Sequence, residues 1–285
     1  MATRLRKGSA GSARGAARIA ADALATVRRL RSCAATGTVL LRADSAYWGR
    51  PVVHAAIRAG ARVSITVRQD ALVRKAIQAI GEGAWTPIRY PQAFRDQATG
   101  AWVSRAEVAE VPFTAFASAP KADQVPGRLV VRRIPDLNPP ADPAQASLFD
   151  VWRFHAFFTT TPAESMDAVA ADQAHRGHAI IEQVFADLKG SALAHLPSGA
   201  FNANAAWLVL AAIAFNLVRA AGTIAGGTHA RATTATLRRR IVNVPARITL
   251  SARRITLRLP TAWPWKDAWT SLFHAAIGPP RTATT

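Results

Sequence analysis

Residues 38–80 read as strand, helix, strand, helix, and that order confines the front of the chain to an α/β architecture. Residues 38–41, Thr-Val-Leu-Leu, form a short apolar strand that runs directly into Arg42-Ala-Asp44-Ser-Ala-Tyr-Trp48. A carboxylate just past a buried strand stands at the carboxyl edge of a sheet, where open α/β folds keep their sites. The spacing predicts a helix over 52–59 stopped by Gly60, a second strand over 62–68, and a helix over 70–80 stopped by Gly81 and Gly83.

Around this run the grammar changes. Residues 1–16 are Gly, Ala, Ser and basic residues, a loose basic lead-in, and 17–30 keep helical spacing through Ile19, Leu24 and Val27. From Ala84 to about residue 161, short β-rich runs (85–90, 101–103, 109–116, 128–134, 151–158) are separated by Pro, Gly and Asp, which predicts a β-rich insertion with an exposed Pro-rich linker over 138–146. Helices return over 162–226, including one from about 202 to 221. The basic C-terminal region, 227–285, carries a candidate hairpin over 247–259 and a Trp-rich tail that predicts a short helix packing back on the body. The expected divisions are therefore 1–16, 17–83, 84–161, 162–226 and 227–285.

Lys and Arg number 36 against 17 Asp and Glu, a formal net charge of +19, which points to a polyanion as partner. Between Gly190 and Lys266 there is no acidic residue, whereas Arg219, Arg231, Arg238, Arg239, Arg240, Arg247, Arg253, Arg254 and Arg258 lie in that span. Phosphate contacts from such a segment give binding that weakens steeply with salt. The lone Cys33 excludes an internal disulfide and a Cys-based zinc cluster, and fits a reducing cytoplasm. His54, His155, His195, His229 and His274 are too dispersed for a metal motif. The first thirty residues hold no sustained apolar core of a secretory signal. The apolar run 205–215 is too short for a bilayer span and reads as a buried helix.

On an ideal helix over 175–189, His175, His178, Glu182 and Lys189 fall within about 60° of one another, with Ile180, Ile181, Val184 and Leu188 opposite. One reading is an amphipathic helix with a solvated polar face. The other is a carboxylate flanked by phosphate-binding groups. Asp44 and Glu182 together offer the hard oxygens that Mg²⁺ or Mn²⁺ prefers, and paired metals suit in-line phosphodiester displacement.

These residues resemble a bacterial insertion-sequence transposase of the DDE type, in the branch with a β-strand insertion before the Glu and a Tyr-x2-Arg-x3-Glu-x6-Lys signature on the Glu helix. Glu182 and Lys189 keep the signature spacing, while His175 and His178 stand where Tyr and Arg are expected. The resemblance implies an α/β fold: a partial RNase H-like core interrupted by the β-rich insertion, with a helical and Arg-rich C-terminal part. It implies Asp44 and Glu182 as catalytic, metal-binding carboxylates, with Mg²⁺ or Mn²⁺ as cofactor. His175, His178, Lys189, Arg238, Arg239, Arg240, Arg253 and Arg254 become candidate DNA contacts, the transposon ends the partner, and the nucleoid in the cytoplasm the setting. Only the 17–30 helix and the lead-in precede Asp44, where the resemblance calls for a strand bearing the first Asp. The expectation is therefore a truncated chain, inactive by itself. A noncatalytic DNA-binding remnant that occupies transposon ends is the alternative, and a basic RNA-associated protein a third reading. A homo-oligomer is an open expectation. So is docking to the replicative sliding clamp, because Gln145-Ala-Ser-Leu-Phe149 resembles the clamp-binding pentapeptide.

Overall fold

Strand pairing in the computed structural model begins where the sequence places it, with β1 (Leu40–Ala43) and β2 (Arg62–Thr66) parallel and Arg42 beside Ser64. The structure describes residues 3–8, 13–31, 37–88, 106–135, 152–251 and 253–278. They divide into two compact units, one of residues 7–179 and one of residues 180–285 with 1–6. The run 101–103, the linker 138–146 and the pentapeptide 145–149 lie outside the described residues.

In the first unit, α1 (Ala16–Arg31) precedes β1, and α2 (Arg50–Arg58) and α3 (Ala71–Gln78) flank β2. Local chemistry sets these helices. Pro51 opens α2, where its fixed φ suits a first turn, and Gly60 leaves it at φ +75°. Asp70 caps α3 by accepting from the Val73 amide at 2.9 Å.

The β-rich stretch supplies β3 (Thr86–Ile88), β4 (Ala106–Ala115), β5 (Val125–Pro135) and β6 (Trp152–Thr159), all antiparallel neighbours. It is continuous with the α/β part: β6 pairs with β2, giving one six-stranded sheet in the order β1-β2-β6-β5-β4-β3. Alternation along the strands sorts the side chains. Val63, Ile65, Leu129, Val131 and Phe158 join the core beneath α2 and α3, while Val130, Phe157 and Ala171 form a smaller core under α4 (Ala168–Arg176) on the other face.

The second unit holds α5 (Ile180–Lys189), α6 (Phe201–Ala225), α7 (Thr234–Leu237), a π-helical turn over Arg238–Val242, the hairpin β7 (Arg247–Ser251) and β8 (Arg254–Arg258), and α8 (Lys266–Ile277). The hairpin and the Trp-rich helix, which packs on α6, match the sequence reading. Two expectations are corrected. At 25 residues α6 is long and apolar enough to cross a bilayer, so the run 205–215 understates the length of the helix that contains it. Nor is α6 a buried helix, because Leu210 and Leu217 are 60% and 65% exposed.

Gly127 shows how tightly the sheet is built. A Cβ placed there would lie 2.5 Å from the Thr159 carbonyl oxygen and 2.7 Å from the Phe158 ring, and Phe158 is fully buried against Trp48 and Phe113. Gly127→Ala must therefore displace β6 or its aromatic core, and we expect a loss of about 1–3 kcal/mol in urea unfolding. A Gly127→Ala protein as stable as the parent contradicts this packing.

Candidate functional site

The site begins on the α4 face of the sheet. Val39, Leu41 and Ala43 pack into the core on the opposite face, so alternation turns Arg42 and Asp44 toward α4. Asp44 keeps an extended backbone (φ −73°, ψ 165°) just past β1 and starts a 3₁₀ turn over Ser45–Tyr47 without a side-chain capping bond. Its carboxylate is exposed. One further step of the β1–β2 register sets Asp44 abreast of Thr66.

Thr66 and Ser64 are the polar residues that β2 presents on this face, and both hold His175. Ser64 Oγ is 2.8 Å from Nδ1 of His175 and Thr66 Oγ1 is 3.0 Å from Nε2, while the ring stacks on Phe157 at 4.1 Å. His175 is buried. Its ring nitrogens face the two sheet hydroxyls, which fixes α4 to β2 and β6.

The single helix expected over 175–189 is also corrected. α4 stops at Arg176, a 3₁₀ turn spans Gly177–Ala179, and α5 starts at Ile180. Arg42 sits at the break. Its guanidinium donates to the Ala174 carbonyl at 2.6 Å, the acceptor that an unbroken helix offers to the amide of residue 178. It also lies so close to Gly177 that a Cβ there would be 2.5 Å from Nη1. Beyond the break, Glu182 sits exposed in the first turn of α5 and Lys189 exposed in its last, where helix polarity favours each charge. The apolar side expected to be buried is largely uncovered: Ile180 and Ile181 are exposed, Val184 is half-buried, and only Leu188 is buried.

A second polar cluster lies along α4. Asp172, 2% exposed, accepts from Arg176 Nε at 2.7 Å and lies 3.4 Å from Arg132 Nη1 on β5. His155, opposite Arg132 on β6, has its pKa lowered by partial desolvation and then by the Arg132 and Arg153 charges, with Asp172 opposing. Among the described residues no three His, Cys, Asp or Glu side chains converge as a metal cluster.

The expected DNA-binding arginines have distinct settings. Arg238 and Arg239 are exposed on the π-helical turn, whereas Arg240 lies half-buried over Trp265, with its guanidinium carbon 5.0 Å from the ring centroid. Arg253 sits at the hairpin tip with φ +65°, and Arg254 is exposed. Register then reveals an arrangement missed in the sequence: Arg247 lies opposite Arg258, and Arg254 shares their face. Like charges directly opposed on a hairpin destabilise it unless an anion neutralises them. Asp187 was missed as well. It accepts from the Thr234 amide at 2.8 Å and the Thr234 hydroxyl at 2.7 Å, which fastens the start of α7 to α5.

The mixed six-stranded sheet and its flanking helices are consistent with an RNase H-like α/β fold. The chain belongs to the family described as Transposase DDE domain group 1, whose model matches residues 1–277. No curated protein matches it. Membership brings DNA transposition as the general function, transposon-end DNA as partner and a divalent metal as the family's usual cofactor, in a class of protein expected to be soluble and cytoplasmic.

Two tests address this geometry. Asp172→Asn removes the negative charge that Arg132 and Arg176 share and turns an amide donor toward one of them, so it should cost about 3 kcal/mol in urea unfolding. A group with a lowered folded pKa contributes stability that is present above its unfolded value and lost as pH falls through the folded value. Stability should therefore fall as pH drops below about 6.5, and His155→Gln should flatten that decline; identical pH profiles for the two proteins would refute the assignment.

Proposed function

We propose that Asp44 and Glu182 are the metal-binding carboxylates of a DDE transposase site, and that the 285-residue polypeptide by itself binds transposon-end DNA without cutting it. One observation carries the reading: Asp44 stands on the α4 face at the carboxyl end of β1, beside the Ser64, Thr66 and His175 anchor that holds α4. Glu182 follows Ala179, the last residue of the sheet-bearing unit, by three residues, so the chain keeps it within about 10 Å of that point.

The donor chemistry fits a hard divalent ion such as Mg²⁺ or Mn²⁺, since each residue brings an exposed carboxylate. A metal bound there would supply charge stabilisation to an in-line displacement at phosphorus. Two carboxylates make an incomplete cage for paired metals, and this is the reason the polypeptide is expected to bind rather than cut. Arg42 and His175 act as positioning residues, the first by ending α4 and the second by seating it. Lys189, Arg238, Arg239, Arg253 and Arg254, with Arg247 and Arg258, supply the phosphate contacts. Arg240 contributes through its packing on Trp265, and His178 remains a candidate contact by its place in the signature. A noncatalytic DNA-binding role at transposon ends is favoured by the same arginine face.

Binding to terminal-repeat DNA across a salt series tests the interface. Replacing Arg247, Arg254 and Arg258 together with Ala should reduce the slope of log K against log salt by roughly 2 to 3, about 0.9 for each phosphate that is no longer neutralised. An unchanged slope would remove the hairpin from the interface. Asp44→Asn with Glu182→Gln should abolish Mn²⁺ binding and leave DNA affinity intact; terminal-repeat cleavage by the parent protein that disappears in Asp44→Asn would overturn the binding-only reading.

A further inference from the structure

Residues 180–285 hold three acids, Glu182, Asp187 and Asp267, among twelve Lys and Arg. Asp187 nevertheless faces neutral donors. Its Oδ2 accepts from the Thr234 hydroxyl at 2.7 Å and from the Thr234 amide at 2.8 Å, and Oδ1 shares that amide at 3.0 Å. Both oxygens are thus fixed by one residue 47 positions away. The amide needs such a partner, because the first amides of a helix have none within it. Thr233 caps α7 by accepting from the Thr236 amide at 3.3 Å, which leaves the Thr234 amide to Asp187. Thr234 is buried, so the donor side of the tie is shielded from water.

The elements on either side of this tie bear different parts of the proposed site. On α5, Glu182 stands five residues before Asp187, about 7.5 Å along the axis. α7 is only four residues long, too short to persist by its own hydrogen bonds, and runs directly into the turn that bears Arg238 and Arg239. Leu237 and Ile241 are buried and the two arginines are exposed. Arg219 donates to the carbonyls of Ala230 and Ala232 just before α7, and Arg240 packs on Trp265, so the turn is anchored independently of Asp187. The hold on α5 is weaker. Leu188 is its one buried residue, and past its end Trp207 donates to the Ala192 carbonyl at 2.8 Å. Without the tie, α5 keeps a pivot near Ala192 and loses its orientation. Along this path Glu182 and Arg238 lie within about 20 Å of each other, a length over which duplex DNA presents about twelve phosphates, so one duplex reaches both.

We propose that Asp187 and Thr234 are positioning residues whose tie holds Glu182 at a fixed place relative to the arginine turn, an assignment that rests on Glu182 being a metal ligand. DNA seated on Arg238 and Arg239 is then presented to that carboxylate. The consequence is linkage: DNA on the turn strengthens metal binding at Glu182, and the metal strengthens DNA binding by the same factor.

The test uses the full chain at fixed salt, with terminal-repeat duplex and Mn²⁺. Saturating duplex should raise the Mn²⁺ affinity of the parent roughly tenfold. Asp187→Ala should reduce that factor to below about twofold, while far-UV circular dichroism and DNA affinity without metal stay as in the parent. Asp187→Asn should keep the factor, because its side-chain amide still accepts from the Thr234 amide and donates to the hydroxyl. A metal-free readout comes from spin labels in a Cys33→Ser background with Gln183→Cys and Ala235→Cys, both at exposed positions. The distance distribution between the labels should be narrow in the parent and in Asp187→Asn, and broad in Asp187→Ala. An unchanged distribution in Asp187→Ala overturns the proposal, as does a coupling factor that survives this change. So does a loss of helix content in Asp187→Ala, which marks the tie as structural alone, or a fall in DNA-free Mn²⁺ affinity in Asp187→Asn, which makes Asp187 itself a ligand. Mn²⁺ affinity unchanged by Glu182→Gln removes the metal reading and the proposal together. An affinity that depends on Glu182 but does not respond to DNA removes the proposal alone.

Discussion

Three residue pairs between β2 and β6 join what the sequence presents as separate parts: Ser64 with Thr159, Ile65 with Phe158, and Thr66 with Phe157. Each face of this junction has its own task. Ile65 and Phe158 are fully buried and tie the helices α2 and α3 to the β-rich strands through one core. On the other face, Ser64, Thr66 and Phe157 receive His175 and so position α4. A slip of one residue would exchange the two faces, placing hydroxyls in the apolar core and Ile65 against the imidazole. The register is therefore held from both sides, and the placement of α4 depends on it.

Much of this order is legible in the sequence because it is local. Alternation in 62–66, the β-rich run 128–134, the Asp70 cap and the Gly60 stop are written in neighbouring residues, and the elements fall close to where those signals put them. What is not legible is long-range. Nothing in 151–158 says that this strand returns to β2 instead of closing a separate β body. Likewise, an ideal wheel over 175–189 gives one continuous face, yet the helix breaks where Arg42, distant in sequence, meets the Ala174 carbonyl and the space beside Gly177. Gly177 was a visible signal for that break. The wheel puts His175 on the polar side, and only the hydroxyls of β2 explain why a polar ring is buried there.

The arginines show a second limit of composition. A net positive charge predicts a polyanion, but several of these cations are structural. Arg128 pairs with Glu110 and donates to the Thr161 and Met166 carbonyls; Arg133 is gripped by Glu82 and Glu107 between the rings of Trp85 and Trp152. Both are buried in the sheet-bearing unit. In the second unit, by contrast, Arg247 faces Arg258 across the hairpin and Arg254 shares their face, with no carboxylate partner among the described residues. Positive charge without carboxylate partners among the described residues is concentrated there, and a two-stranded hairpin with an exposed apolar back is too weak by itself to tolerate that repulsion without a counter-charge.

The acids divide in the same way, and the division sharpens the candidate site. With cations outnumbering acids about two to one, most described carboxylates are engaged: Glu82, Glu107, Glu110, Asp123 and Asp172 in ion pairs, Asp70 and Asp167 as caps, Asp187 as the tie between α5 and α7. Asp44 and Glu182 are exposed, and among the described residues their side chains make no such contact. Glu164 and Asp267 share that freedom, but Glu164 lies in a turn before α4, and Asp267 opens α8, where it offsets the helix dipole. A folding role therefore accounts for the engaged acids and leaves Asp44 without one, at the sheet edge where α/β folds hold their ligands. For Glu182 the helix N-terminus supplies part of an explanation, and the proposed metal supplies the rest.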